Sequence, residues 1–114
     1  MTPPSKSAAG AIDPQAMQRA AGAASALMRA LSHPDRLMIL CQLTQGEMCV
    51  GDIEEITGIG QPSLSQQLSV LRGARLVTTR REGKHIYYAI ASREAAQVLT
   101  KLYEMYCTVP ARKR

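Results

Sequence analysis

Three cysteines, Cys41, Cys49 and Cys107, are the side chains of this 114-residue sequence best suited to covalent or metal chemistry. A cysteine thiolate is a nucleophile towards sulfur and a ligand for soft metal ions. Three such residues are too few and too widely spaced for the disulfide framework of a small secreted protein. We therefore expect free thiols, either inert in a core or reactive, and the residues themselves leave that choice open.

Other groupings that could do chemistry are scarce in the sequence. The only histidines are His33 and His85, and we find no Ser-His-Asp set, phosphate-binding loop or close pair of catalytic acids. We expect a protein that is not an enzyme and that needs no cofactor. An enzyme or a protein-interaction module built on the same fold is the rival class.

A second group of side chains could recognise nucleic acid through hydrogen bonds. Leu64, Leu68 and Leu71 recur at i, i+4 and i+7, which predicts one buried face on a helix from about Gln61 to Arg72. The polar residues between them would face outwards, where glutamine amides can pair with adenine and serine hydroxyls with bases or phosphates. The candidate DNA-contacting residues of this helix are Gln61, Ser63, Ser65, Gln66 and Arg72. Gln67 precedes Leu68 directly, so we expect it to be half-covered.

The charge distribution favours an anionic partner. The net charge is +5, yet residues 45–60 carry −4 (four acids, no base) and residues 61–90 carry +4 (five bases, one acid). Such a change between neighbouring segments predicts a surface arranged to meet a polyanion such as DNA. We expect Arg80, Arg81 and Lys84 at the tip of a hairpin, where each can neutralise a phosphate or enter a minor groove.

A mainly helical domain must position these residues. N-cap residues, proline breaks and apolar periodicity predict four helices, a β-hairpin, and a last helix capped by Ser92. The predicted elements are helices 14–31, 34–43, 50–57 and 61–72, strands 76–81 and 85–90 joined by Glu82-Gly83, and a helix from Ser92 to about Tyr106. The fold class is therefore mainly α with a small β-hairpin, a winged helix-turn-helix of order ααααββα. It spans residues 14–107, between a flexible tail at 1–13 and a basic tail at 108–114.

The first and last predicted helices carry more apolar residues than one small core needs. We expect them to form a two-fold homodimer. Its two copies of the helix predicted from about Gln61 to Arg72, the recognition helix, would lie about 34 Å apart on palindromic DNA. The alternative is that both helices only complete the core. The sequence has no run of about 18 apolar residues and no secretory signal, so we expect a cytoplasmic protein with no membrane partner.

Several stretches of the sequence together resemble the ArsR-type winged-helix repressors over roughly residues 20 to 107. The matching stretches are Leu31-Ser32-His33-Pro34 with Arg36-Leu37, Gln61-Pro62-Ser63-Leu64-Ser65-Gln66-Gln67-Leu68 with Leu71-Arg72, and Arg81-Glu82-Gly83-Lys84 with Ile86-Tyr87-Tyr88. The resemblance implies a dimeric repressor that binds double-stranded operator DNA and leaves it when an inducer binds.

Inducer classes in this family differ in their ligand residues. Arsenic-type members carry Cys-Val-Cys before the turn, whereas this sequence reads Cys49-Val50-Gly51 and supplies one thiol. Zinc-type members place Asp and His on the last helix, which here contains no histidine between Ser92 and Tyr106. We expect no metal site, although Cys49 with thiols from elsewhere keeps a metalloid-sensing alternative open.

The remaining pair, Cys41 and Cys107, resembles that of the persulfide-sensing subgroup typified by BigR and SqrR. The resemblance implies that a persulfide or polysulfide inducer joins the two thiols by a disulfide or a longer sulfur bridge and thereby releases the DNA. The chain would then be a repressor of sulfide-detoxification genes. A thiolate attacks the outer sulfur of a persulfide, and a second thiol resolves the product. Cys41 could instead be a plain core thiol, since free cysteines are commonly buried.

Overall fold

The computed structural model describes residues 11–108 of the chain, which contain helices, three short strands and the turns between them. The helices are α1 (Pro14–Leu31), α2 (Pro34–Leu43), α3 (Val50–Thr57), α4 (Ser63–Gly73) and α5 (Arg93–Tyr103), and α5 continues into a π-helical turn at Glu104–Thr108. The strands are β1 (Met48–Cys49), β2 (Val77–Glu82) and β3 (His85–Ile90). The predicted tails lie outside the described residues, apart from residues 11–13 and 108.

The ends of the first three helices follow from capping groups in the sequence. The Asp13 carboxylate accepts the N–H of Ala16 at 3.3 Å, and His33 Nδ1 accepts the N–H of Asp35 at 3.1 Å. α3 ends at Gly58, whose φ of 76° is a left-handed conformation that glycine adopts without strain. The predicted bounds of α1, α2 and α3 are therefore confirmed.

Three other predicted boundaries were wrong by a few residues. The recognition helix begins at Ser63 rather than at about Gln61, because Gln61 and Pro62 form the turn before it. The hairpin turn is Gly83-Lys84 rather than Glu82-Gly83, and Glu82 instead pairs with His85 at the end of the ladder. The regular α-helix predicted to reach about Tyr106 ends at Tyr103, where the π-helical turn takes over.

Strand β1 was not predicted at all. Met48 pairs with Tyr88 and Cys49 with Tyr87, so the sheet order is β1-β3-β2 with both pairings antiparallel. A two-residue strand is too short to show an alternating pattern, so only its pairing with β3 reveals it. The consequence is that the residues just before α3 are hydrogen-bonded to the hairpin.

The hydrophobic core lies between α2, α3, α4 and α5. Its largest fully buried side chains are Ile39, Leu40, Ile53, Leu64, Leu71 and Leu99. α1 contributes only Leu31 to the buried set and leaves Met17 and Met28 about half exposed, at 47% and 61%. Within residues 11–108, no helix combines the length and the apolar character needed to cross a membrane.

Candidate nucleic-acid interface and thiol groove

The recognition helix α4 has one buried face and one polar face. Leu64, Leu68 and Leu71 are 0%, 2% and 0% exposed, which confirms the predicted apolar face. The polar residues Ser65, Gln66, Ser69 and Arg72 are exposed, and Ser63 is half-buried. This polar face can therefore present amides, hydroxyls and a guanidinium to a DNA groove.

Gln61 and Ser65 act together at the start of α4. The Gln61 Oε1 accepts the main-chain N–H of Ser65 at 3.1 Å and its hydroxyl at 2.6 Å. Gln61 thus lies before the helix and satisfies one of its unpaired N–H groups. Because Oε1 is used twice, base reading by Gln61 would depend on its amide N–H groups.

Arg36 connects α4 to the rest of the domain, a role that sequence analysis did not assign to it. Its Nη1 donates to Gln67 Oε1 at 3.1 Å, and its Nε donates to the carbonyl of Ala30 at 2.6 Å. Gln67 is half-buried, as expected from its position beside Leu68. No periodicity marks such an arginine in a sequence, because its partners belong to two other helices.

Arg80 lies in the middle of β2, opposite Tyr87, rather than at the hairpin tip where it was expected. Its guanidinium forms ion pairs with Glu47 and, at 2.7 Å, with Glu82. It also lies over the ring of Tyr87, 4.7 Å from the ring centroid. The hydrogen bond from Arg80 lowers the pKa of the Glu47 carboxyl below its ordinary value, and burial partly opposes this.

The tip of the hairpin carries the other two predicted cations. Arg81 occupies the next position of β2 and Lys84 lies in the turn, and both are exposed. Arg81 and Lys84 therefore have the accessibility that phosphate contacts require, whereas the charge of Arg80 is already balanced by Glu47 and Glu82.

Cys41 of α2 and Cys107 of the π-helical turn line the same groove. This thiol groove has a volume of about 240 Å³, and Leu37, Leu102, Tyr103 and Tyr106 form the rest of its lining. Cys41 is half-buried, Cys107 is exposed, and both are free thiols. The tertiary structure thus brings together the two cysteines that the family resemblance singled out.

The two thiols differ in their electrostatic environment. Burial raises the pKa of the Cys41 thiol, and the negative charge of a Cys107 thiolate raises it further. Cys41 is therefore a weaker acid than an ordinary cysteine.

Cys49 lies apart from this pair. Its Sγ donates to Asp52 Oδ2 at 3.4 Å, and it does not line the thiol groove. Among residues 11–108 there is no group of three or more histidine, cysteine or acidic side chains that could hold a metal ion. His33, which caps α2 through Nδ1, is already used structurally.

The sequence is similar to bacterial transcription regulators. The family described as "Bacterial regulatory protein, arsR family" matches residues 33–79, which run from the start of α2 into β2. The "Biofilm growth-associated repressor" of Xylella fastidiosa is 48% identical over 92 residues, which cover 81% of this chain and 81% of that protein.

Solved structures show the same architecture. The crystal structure of the transcriptional repressor BigR from Xylella fastidiosa superposes with a TM-score of 0.79 at 44% identity, covering 85% of this chain and 99% of that one. A homodimeric winged helix-turn-helix DNA-binding domain from Mycobacterium bovis superposes with a TM-score of 0.65 at 32% identity, covering 83% of this chain and 86% of that one. The predicted winged helix-turn-helix fold is thereby confirmed.

Proposed function

The chain belongs to the ArsR family of bacterial regulatory proteins, and we propose that it is a homodimeric transcriptional repressor that persulfides release from operator DNA. Its proposed targets are sulfide-detoxification genes, and it would act in the cytoplasm as a regulator rather than as an enzyme. The proposal of persulfide sensing rests on one observation, which is that Cys41 and Cys107 line the same groove although they lie on different elements.

DNA binding is assigned to α4 and the hairpin. Residues Gln61, Ser63, Ser65, Gln66 and Arg72 would face the major groove, and Arg80, Arg81 and Lys84 would contact phosphates or the minor groove. Arg80 would have to exchange Glu47 for a phosphate, so its contribution is the smallest of the three hairpin cations. The exposed polar face of α4 and the exposed tip of the hairpin support this assignment.

Dimerisation is assigned to α1 and α5. The exposed large apolar side chains on α1, α5 and the segments that flank them are Ile12, Met17, Met28, Val98, Tyr103, Met105 and Tyr106. Seven of the ten exposed large apolar side chains of the described residues lie there, and such a concentration is typical of an interface. A two-fold dimer through these helices would present two copies of α4 to the half-sites of a palindromic operator.

The proposed switch is sulfur transfer to the thiol pair followed by formation of a sulfur bridge. A cysteine thiolate attacks the outer sulfur of a persulfide RSSH, so that the donor S–S bond breaks, RSH leaves with the proton, and the cysteine becomes Cys–SSH. Attack by the second thiol on the inner sulfur then gives a disulfide and releases H₂S. If both cysteines are persulfidated first, their reaction gives a trisulfide and the same H₂S. The donor is the oxidant in both cases, and longer bridges arise from further sulfur transfers.

A bridge between the two thiols would change the geometry of the dimer. Cys41 belongs to α2, which packs with the recognition helix α4 in the hydrophobic core. Cys107 follows α5, which is assigned to the dimer interface. Joining them would fix the angle between α2, with the recognition helix α4 packed on it, and the dimer-interface helix α5. Fixing this angle would change the distance between the two recognition helices of the dimer. The bridged state would then favour the conformation that does not fit the operator.

The experiment compares operator affinity with the covalent state of the thiols. A duplex selected from a random library by the reduced protein provides the probe, and its Kd is measured by fluorescence anisotropy at constant salt. The protein is used reduced, after glutathione persulfide, and after arsenite, with intact mass recorded each time. Persulfide is expected to add a Cys41–Cys107 bridge and to weaken binding by about tenfold or more, which corresponds to a typical coupling free energy.

The matched variants are Cys41→Ser, Cys107→Ser and Cys49→Ser. The first two are expected to keep DNA affinity and lose the persulfide response, and Cys49→Ser is expected to keep both. A persulfide response that survives in Cys41→Ser or Cys107→Ser would overturn the two-thiol switch. Release by arsenite alone, lost in Cys49→Ser, would establish the metalloid alternative instead.

A further inference from the structure

The thiol groove is lined mainly by apolar side chains and by a few uncharged polar ones. Beyond its first six lining residues it continues past Met38, Gln42, Ile56 and Thr57. Gln42 and Thr57 are uncharged, and the Thr57 hydroxyl is already bonded to the carbonyl of Ile53 at 2.7 Å. No lysine, arginine, histidine, aspartate or glutamate of the described chain lines either part of the groove.

The two charged side chains that flank Leu102 and Tyr103 in the chain form an ion pair with each other. Lys101 and Glu104, the charged residues closest to Leu102 and Tyr103 in the chain, pair with each other at 3.5 Å. A donor with a carboxylate would have to lose water on entering the groove without gaining an ion pair there, and the groove offers it only uncharged hydrogen-bond donors such as the Gln42 amide and the Tyr103 hydroxyl. Such desolvation is costly even when it is partial.

We propose, building on the sulfur-transfer function above, that the thiol groove selects small persulfides with uncharged substituents over anionic and peptide-sized ones. Only the protonated form RSSH is an effective electrophile, because its anion repels a thiolate. An apolar groove favours that neutral form for the same reason that it disfavours a carboxylate. The groove volume of about 240 Å³ suits a short alkyl chain in contact with Leu37 and Leu102.

The chemical step is the same sulfur transfer for every donor. The S–S bond of RSSH breaks, a new S–S bond forms at Cys107 or Cys41, and RSH leaves with its proton. Selectivity therefore comes from how the R group is accommodated in the groove. This selectivity is measured, for each donor, as the rate of sulfur addition to the folded protein divided by the rate of sulfur addition to the unfolded protein.

The test uses ethyl persulfide and 2-carboxyethyl persulfide, which have the same sulfur chemistry and differ by one carboxylate. Glutathione persulfide adds a larger anionic donor. Rates of sulfur addition to the full chain, reduced and either folded or unfolded in urea, are followed by quenched-flow mass spectrometry. The folded-to-unfolded rate ratio is expected to be about tenfold or more higher for ethyl persulfide, in line with the desolvation of a charged group.

Met38→Lys places a cation at the rim of the groove and should raise the ratio for the carboxyethyl donor by a larger factor than that for the ethyl donor, whose ratio changes only through the acidity of the thiols. Val70→Lys is the matched control, because Met38 and Val70 are 43% and 46% exposed and Val70 does not line the groove. Gln42→Lys is a second rim variant. Equal ratios for the two small donors, or equal effects of Met38→Lys and Val70→Lys, would overturn the selectivity. If no donor bridges Cys41 and Cys107 in the folded protein, the sulfur switch itself fails along with it.

Discussion

Arg36 donates to Gln67 across the interface between α2 and α4, with Nη1 and Oε1 separated by 3.1 Å. The same guanidinium donates through Nε to the carbonyl of Ala30 and, at 3.2 Å, through Nη2 to that of Arg29. Because both carbonyls belong to the last turn of α1, one side chain connects the proposed dimer helix to the recognition helix. Arg36 is therefore a single side chain that holds the end of α1 and the recognition helix α4 together.

Replacing Arg36 should cost more than replacing Gln67. Arg36→Ala removes three hydrogen bonds, and the Ala30 carbonyl loses its side-chain donor, whereas the Arg29 carbonyl still accepts from Ser32. We therefore expect a loss of about 2 kcal/mol in the free energy of unfolding. Gln67→Ala removes one of these bonds and should cost about 1 kcal/mol. Urea unfolding of both variants and of the double variant forms a thermodynamic cycle. Strictly additive losses would show that the two side chains are not coupled.

Gln66 is expected to contribute to sequence recognition. We expect Gln66→Ala to weaken binding to the selected duplex by about 1–3 kcal/mol and to relax the preference at one base pair, without changing the salt dependence. Anisotropy titrations against single-base variants of the duplex measure both effects. A uniform loss across all duplexes would assign Gln66 to the phosphate backbone instead.

Arg81 and Lys84 should act through phosphates. Each change to alanine is expected to weaken binding to every duplex alike and to reduce the slope of log K against log salt concentration by about one unit. Arg80→Ala should change that slope less, because Arg80 is already paired with Glu47 and Glu82. A larger change in slope for Arg80→Ala than for Arg81→Ala would mean that DNA displaces these carboxylates.

The Glu47–Arg80 pair should make the stability of the β2–β3 hairpin sensitive to acid. The pKa of Glu47 is lowered in the folded protein, so the pair stabilises the fold above the ordinary glutamate pKa. That contribution is lost as the pH falls through the ordinary range towards the lowered value of the folded state. We expect Glu47→Gln to flatten the dependence of stability on pH in this acidic range. The free energy of unfolding of both proteins is measured by urea unfolding at a series of pH values. If Glu47→Gln leaves the decrease at acidic pH unchanged, the pair does not contribute to stability.

The pKa of Cys41 should depend on Cys107. Burial and the charge of Cys107 both raise it, so removing that charge in Cys107→Ser should move the alkylation profile of Cys41 to lower pH. Because burial is the larger cause and remains, Cys41 should still ionise above the pH of an ordinary thiol. Iodoacetamide rates across a pH series, resolved by peptide mass spectrometry, provide the measurement. Cys49→Ser is the control and should leave the Cys41 profile in place.

Local signals in the sequence determined most of the fold. Asp13 before Pro14, His33 before Pro34 and the glycine at position 58 set helix ends through groups within four residues of one another. The spacing of Leu64, Leu68 and Leu71 determined which face of α4 is buried, since an amphipathic helix has a single way to bury its apolar stripe.

Tertiary structure alone decided which distant groups meet. β1 exists because β3 pairs with it, and Arg80 is neutralised because Glu47, far away in the sequence, lies beside it. The role of Arg36 and the shared groove of Cys41 and Cys107 likewise depend on how separate helices pack. Periodicity and capping report interactions within one element, whereas these contacts depend on the relative placement of elements, which no local pattern encodes.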